Sequence, residues 1–172
     1  MKLQEDLNTL QEWARTWQMK FNVQKCKVMR VGGDDNGLNG LSEYLMGSQK
    51  LKFCDTERDL GIIMLADLKV GSQCNQACLK ANRMLGLIKR SFVTKSPDVL
   101  LNLYKTIVRP HLEYCVSAWS PHYQKDKKIL EQVQHRFTRM IPDLRSQHYE
   151  GRLLKTIETL DIGRTSKLYR LD

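Results

Sequence analysis

The sequence predicts an α+β protein: a small antiparallel sheet with one N-terminal helix, followed by an all-helical lobe. Three observations carry this reading. Up to about residue 71 an amphipathic helix precedes short strand-like runs set off by glycines. From about residue 72 the apolar spacing becomes that of helices. The charge divides at the same place: residues 1–72 hold 10 Lys+Arg against 10 Asp+Glu, and residues 73–172 hold 18 against 9, so the whole excess of +9 lies in the second part. The expected domains are therefore residues 1–71 and 72–172.

The first helix is expected from Leu3, Leu7, Leu10, Ala14 and Trp17 at helical spacing, with Glu5, Asp6, Glu12 and Arg15 between them. Trp13 and Trp17, at i and i+4, read as core staples of that helix. "FNVQKCKVMRV" reads as a strand ended by Gly32-Gly33. "EYLM" and "KLKFC" read as short strands around Gly47-Ser48, and "LGIIML" as another, giving an antiparallel meander. In the second part Ala77, Ala81, Met84, Leu85, Ile88 and Phe92 form one helical face, which Gly86 weakens by ~1 kcal/mol. Ser96 as N-cap, Pro97 at the first helical position and Asp98 on the positive helix end start the next helix. Pro110 is expected to end or kink it, with "HLEYCVSAW" resuming. Trp119 and Tyr123 flank Pro121 and are expected to pack a helix junction. "KDKKILEQVQHRFTRMI" presents Ile129, Leu130, Val133, Phe137, Met140 and Ile141 to a core, and "YEGRLLKTIETL" is the last helical signal.

The bulk properties exclude several classes. A chain of 172 residues with 41% hydrophobic and 27% charged composition is ordinary for one domain with a core or for two small lobes. Its longest apolar run, "LGIIMLA", falls far short of the ~20 residues of a membrane span. The N-terminus carries acids where a signal peptide needs an apolar block. Five cysteines without a secreted-domain pattern read as reduced thiols. The expectation is an intracellular protein, nuclear or cytoplasmic and not secreted, with no membrane partner. The lopsided basic charge points to nucleic acid or another polyanion.

Candidate sites emerge from residue chemistry. Asp34 and Asp35 are adjacent carboxylates, but Gly33, Asn36 and Gly37 around them favour a hairpin loop, whereas a catalytic pair needs rigid convergence on a metal. They read as a turn. Cys74 and Cys78 share a helical face, yet no second pair occurs at zinc spacing, so they read as buried thiols. No phosphate-binding glycine loop and no nucleophile–base pair is recognisable. Lys80, Arg83, Arg90, Lys128, Arg136 and Arg139 form a phosphate-tracking surface if their helices lie side by side. Otherwise they are a solvated face.

Three stretches carry a family resemblance: "LQEDLNTLQEWARTWQMKFNVQKCKVM", "RDLGIIMLADLKVGSQCNQACLKANRMLGLIKRSF" and "LLNLYKTIVRPHLEYCVSAWSPHYQKDKKILEQVQHRFTRMI". Together they resemble the reverse transcriptase of LINE-type non-LTR retrotransposons, closest to the chicken-repeat and jockey-like branch. The most specific string is Tyr-Lys…Val-Arg-Pro-His-Leu-Glu-Tyr-Cys. The resemblance implies that residues 1–17 correspond to the palm helix after the catalytic aromatic-Ala-Asp-Asp hairpin. It implies that Asn22 and Lys25 match the next palm motif, with the lysine similar to one near the leaving pyrophosphate. Leu60, Gly61 and Ile62 resemble the segment that grips the primer end. Residues 73 onward resemble the thumb and the start of the region beyond it.

The same resemblance implies what is missing. Both catalytic carboxylate motifs of the RNA-directed DNA polymerase lack a counterpart, as do the fingers and the endonuclease. The full-length family uses Mg²⁺, which needs carboxylate clamps. This chain alone is therefore expected to hold no catalytic residue, no metal and no cofactor. The expected residual function is non-specific binding of RNA, DNA or an RNA–DNA duplex. The alternative is a decayed element copy without a selected role, or a protein-interaction scaffold. Residues 1–71 lack the sheet neighbours of a full palm, so an exposed apolar patch or sheet edge is expected there. The sequence leaves the oligomeric state open.

Overall fold

The computed structural model describes residues 2–32, 43–92 and 96–152. The chain divides into two compact units, Met1–Lys69 and Val70–Asp172. It is a mixed α and β structure, with every described strand in the first unit. Among the described residues no helix is long and apolar enough to cross a membrane.

In the first unit α1 spans Lys2–Thr16. Six short strands come after it: β1 (Lys27–Val28), β2 (Leu45–Met46), β3 (Gln49–Lys50), β4 (Lys52–Phe53), β5 (Thr56–Asp59) and β6 (Ile62–Leu65). They form three two-stranded sheets rather than one antiparallel meander. β2 pairs β3 and β5 pairs β6 antiparallel, while β1 pairs β4 in parallel. The predicted strand over "FNVQKCKVMRV" shrinks to Lys27–Val28, because a 3-10 turn takes Val23–Lys25. "TERD", which has no apolar alternation, becomes β5 by pairing with the apolar β6. Gln4 holds α1 to β2: its Nε2 donates to the Leu45 carbonyl and its Oε1 accepts from the Leu45 amide, both at 2.9 Å.

The tryptophan staples are corrected. Trp13 and Trp17 are 48% and 66% exposed, and Leu3 and Leu10 are exposed beside them; of α1 only Ala14 is buried. The small sheets of this unit do not cover the helix stripe, so the amphipathic pattern meets solvent. An exposed apolar face is what the sequence leads one to expect here.

The second unit is helical. It comprises α2 (Gly71–Ser91), α3 (Pro97–Leu103), α4 (Arg109–Glu113), α5 (Val116–Trp119) and α6 (Gln124–Thr138), with a short 3-10 turn at Pro142–Leu144. Its core joins Cys74, Ala77, Ala81, Leu85 and Ile88 of α2 to Leu130, Val133 and Phe137 of α6. Tyr104 stacks on Phe137 with ring centroids 4.2 Å apart. Met84, Ile129 and Met140, expected inside, are only half-buried, and Phe92 is exposed.

Pro110 neither ends nor breaks its helix at the proline. Residues Tyr104–Val108 open into a π turn between α3 and α4, and the Arg109 amide donates to the Tyr104 carbonyl five residues back. Proline lacks an amide donor and crowds the carbonyl four residues earlier; the wider turn accommodates both defects. The chain turns at Cys115, whose φ is +53°. Trp119 is buried and its Nε1 donates to the Tyr114 carbonyl at 2.8 Å, with Pro121 buried beside it in sequence, while Tyr123 is exposed. Ser96 takes the N-cap position, but its hydroxyl makes no capping bond.

Two substitutions probe these assignments. Asp59 pairs with Ile62, so Leu60-Gly61 forms a two-residue hairpin turn with φ of +46° and +86°. Left-handed leucine is unfavourable, whereas Asn-Gly suits such a turn. Leu60→Asn should therefore stabilise the first unit by about 1 kcal/mol in denaturant unfolding. Phe137→Ala should destabilise the second by roughly 3–5 kcal/mol.

Candidate nucleic-acid interface

α2 and α6 lie side by side and run parallel. At their N-terminal ends, a side chain added at Gly71 would meet Asp126 Oδ1 at 3.3 Å. Further along, Cys78 Sγ donates to the Ile129 carbonyl at 3.4 Å. One turn beyond, Arg136 Nη1 donates to Asn82 Oδ1 at 3.0 Å. The small side chains of Cys74, Ala77, Cys78 and Ala81 on α2 allow this close approach.

Toward their C-terminal ends the two helices line a groove of about 470 Å³. Its lining joins an uncharged part, Leu85, Gly86 and Met140 (the floor), to a polar part, Lys89, Arg136, Arg139 and Arg145 with Asn82 (the rim). Among the described residues, none of these four cations pairs with a carboxylate. Two helix C-termini meet here, and their partial negative charge favours cations in the last turns. At the opposite end, buried Asp126 stands in the first turn of α6 against the first residue of α2, where negative charge is favoured.

Of the cationic residues singled out from sequence, the groove gathers Arg136 and Arg139. Lys80 is half-buried on α2, Arg83 and Arg90 are exposed on α2, and Lys128 is exposed on the first half of α6; none of these lines the groove. Lys89 and Arg145 complete the rim, and the sequence reading misses both. Lys89 lies at i+7 from Asn82 and i+3 from Gly86 on one helical stripe, a detectable signal. Arg145 is delivered by the turn after Pro142, which no periodicity predicts.

The other sequence candidates lie elsewhere. Asp34 and Asp35 fall outside the described residues. Asn22 and Lys25 are exposed at the 3-10 turn, where the Lys25 amide donates to the Asn22 carbonyl at 2.9 Å. Leu60, Gly61 and Ile62 form the β5–β6 hairpin tip, with Leu60 79% exposed. Cys74 and Cys78 are core thiols: burial pushes Cys74 up to about 12 and Cys78 to about 11, so neither is a thiolate at neutral pH. Among the described residues no group of three or more His, Cys, Asp or Glu is placed to hold a metal ion.

His135, one turn before Arg139, belongs to a separate cluster. Arg152 Nη2 lies 3.1 Å from His135 Nε2 and Arg152 Nη1 donates to the Gln147 carbonyl at 3.1 Å. A guanidinium only donates, so Nε2 accepts and the imidazole is neutral. The Tyr149 ring meets His135 edge-on at 4.6 Å. Burial, then Arg139 and Arg152, hold the His135 pKa below its ordinary value against an opposing pull from Glu131.

The chain matches no protein-family model, no curated protein and no solved structure.

The unfolded chain binds a proton at His135 more readily than the folded one, so this residue's stabilising contribution is complete above about pH 6.5 and is lost as pH falls through the lower folded value. Thermal unfolding should occur at lower temperature as pH drops from 7.5 to 5. His135→Gln, whose amide oxygen still accepts from Arg152, should flatten that part of the profile.

Proposed function

We propose that this chain derives from the C-terminal palm and thumb of a LINE-type reverse transcriptase and binds nucleic-acid duplexes without sequence preference. The observation that carries the reading is the groove rim of Lys89, Arg136, Arg139 and Arg145, free of carboxylate partners among the described residues. Cations arrayed along two adjacent helices and the turn after them neutralise successive phosphates and release counterions, a mode of binding that reads charge and not bases. The family resemblance supplies RNA–DNA or double-stranded nucleic acid as the ligand, and the basic excess in residues 73–172 agrees with it.

On this reading the chain alone is not a polymerase. Its sequence holds no aromatic-Ala-Asp-Asp segment, and Lys25 near a leaving group cannot replace carboxylates that clamp two metals. Primed RNA template with deoxynucleotides and Mg²⁺ or Mn²⁺ should yield no extension.

The exposed stripe of Leu3, Leu10, Trp13 and Trp17 favours a second reading for the first unit, contact with another protein. The two readings occupy different units.

Duplex affinity should be on the order of micromolar at low salt, with a log–log salt slope of roughly −3 to −5 for a handful of phosphate contacts. Replacing Arg136, Arg139 and Arg145 with Gln should flatten the slope by about 2 to 3 and weaken all sequences alike. Replacing Lys2, Lys50 and Lys52 should change little. Equal losses from the two triple variants would show that net charge acts globally and that no binding face exists.

A further inference from the structure

We infer that the α2–α6 groove is a pocket for a nucleoside phosphate, taking the phosphate on its arginines and the planar base on its floor. This deepens the proposed duplex binding, which needs only a charged ridge, and rests on it for the sign of the ligand's charge alone.

The groove has two chemistries side by side. Arg136, Arg139 and Arg145 line it together with Lys89, and planar guanidinium groups match phosphate oxygens in pairs. Leu85, Gly86 and Met140 line the same groove without a charged group and form its uncharged floor. A phosphate alone has no use for that floor. Backbone tracking along a duplex has none either, because duplex bases are stacked inside. A flat apolar ring attached to a phosphate satisfies both parts.

Gly86 adds an independent observation. It lies inside a helix of 21 residues, where glycine is penalised relative to alanine. Its φ is not in the left-handed region, and among the described residues a Cβ built there meets no atom within 4 Å. Neither backbone conformation nor packing requires a glycine at this position; the space it leaves open is the floor of the groove. The groove volume of about 470 Å³ lies within the range of small-molecule pockets, roughly 300–1,000 Å³.

The base and phosphate come either from a free nucleotide or from the 5′-phosphorylated end of a strand. Calorimetric titration of the full chain compares magnesium-free ATP, inorganic tripolyphosphate, a 5′-phosphorylated dinucleotide and the same dinucleotide without its terminal phosphate. ATP should bind roughly tenfold tighter than tripolyphosphate, the share contributed by burying part of the base against uncharged surface. Gly86→Leu fills the floor with a better helix former; it should bring ATP down to the level of tripolyphosphate and leave tripolyphosphate unchanged. Arg139→Gln with Arg145→Gln should weaken both. Circular dichroism of each variant shows that the helices are intact. Tight binding of the phosphorylated but not the bare dinucleotide supports the pocket with a strand end as ligand, and binding of ATP alone supports it with a free nucleotide. Equal affinities for ATP and tripolyphosphate, or ATP binding unmoved by Gly86→Leu, would overturn the inference. Duplex binding that keeps its salt slope in Gly86→Leu would then show that the pocket has failed and the duplex-binding face has not.

Discussion

The parallel packing of α2 on α6 is the constraint on which the second unit depends. It requires small side chains at Cys74, Ala77, Cys78 and Ala81, which let the backbones approach until Cys78 reaches the Ile129 carbonyl. Parallel helices place like ends together, so two positive N-termini meet at one end and two negative C-termini at the other. The sequence distributes charge to match. Asp126 lies buried at the N-terminal end, and Lys89, Arg136 and Arg139 gather at the C-terminal end. Helix ends thus offset part of the repulsion among cations that, among the described residues, have no carboxylate partners. The same arrangement that stabilises the fold leaves a concentrated positive surface.

The π turn serves the same core. By absorbing Pro110 without breaking the helix, it keeps Tyr104 and Val108 on the inner face with Leu112, all fully buried. Tyr104 can then stack on Phe137 of α6. A sharp break at the proline would have turned either Tyr104 or Leu112 away from that core.

Helical periodicity makes the second unit legible: Ala77, Ala81, Leu85, Ile88, Leu130, Val133, Phe137 and Ile141 are all readable from spacing and are all buried. The first unit is less so, because its strands have only two to four residues and pairing, more than side-chain pattern, decides them. β5 is polar throughout and exists because β6 lies opposite; the parallel β1–β4 pair has no local signature at all. Trp13 and Trp17 show the opposite failure, a clear amphipathic pattern that nothing among the described residues of this unit covers. At the groove, Arg136 and Arg139 are visible in the sequence as cations at the end of α6, and Lys89 as part of a stripe with Asn82 and Gly86, but their meeting is not. Placing Lys89 needs the relative rotation of two helices, and placing Arg145 needs a turn that periodicity does not encode.

The central claim is that one face of the second unit, formed by the C-terminal ends of α2 and α6, holds nucleic acid. Amide hydrogen exchange of the full chain, with and without a short RNA–DNA duplex, tests it most directly. Added protection is expected over residues 82–91 and 136–145, with residues 2–32 and 43–69 unchanged. Protection confined to the first unit, or spread evenly over both, would contradict it.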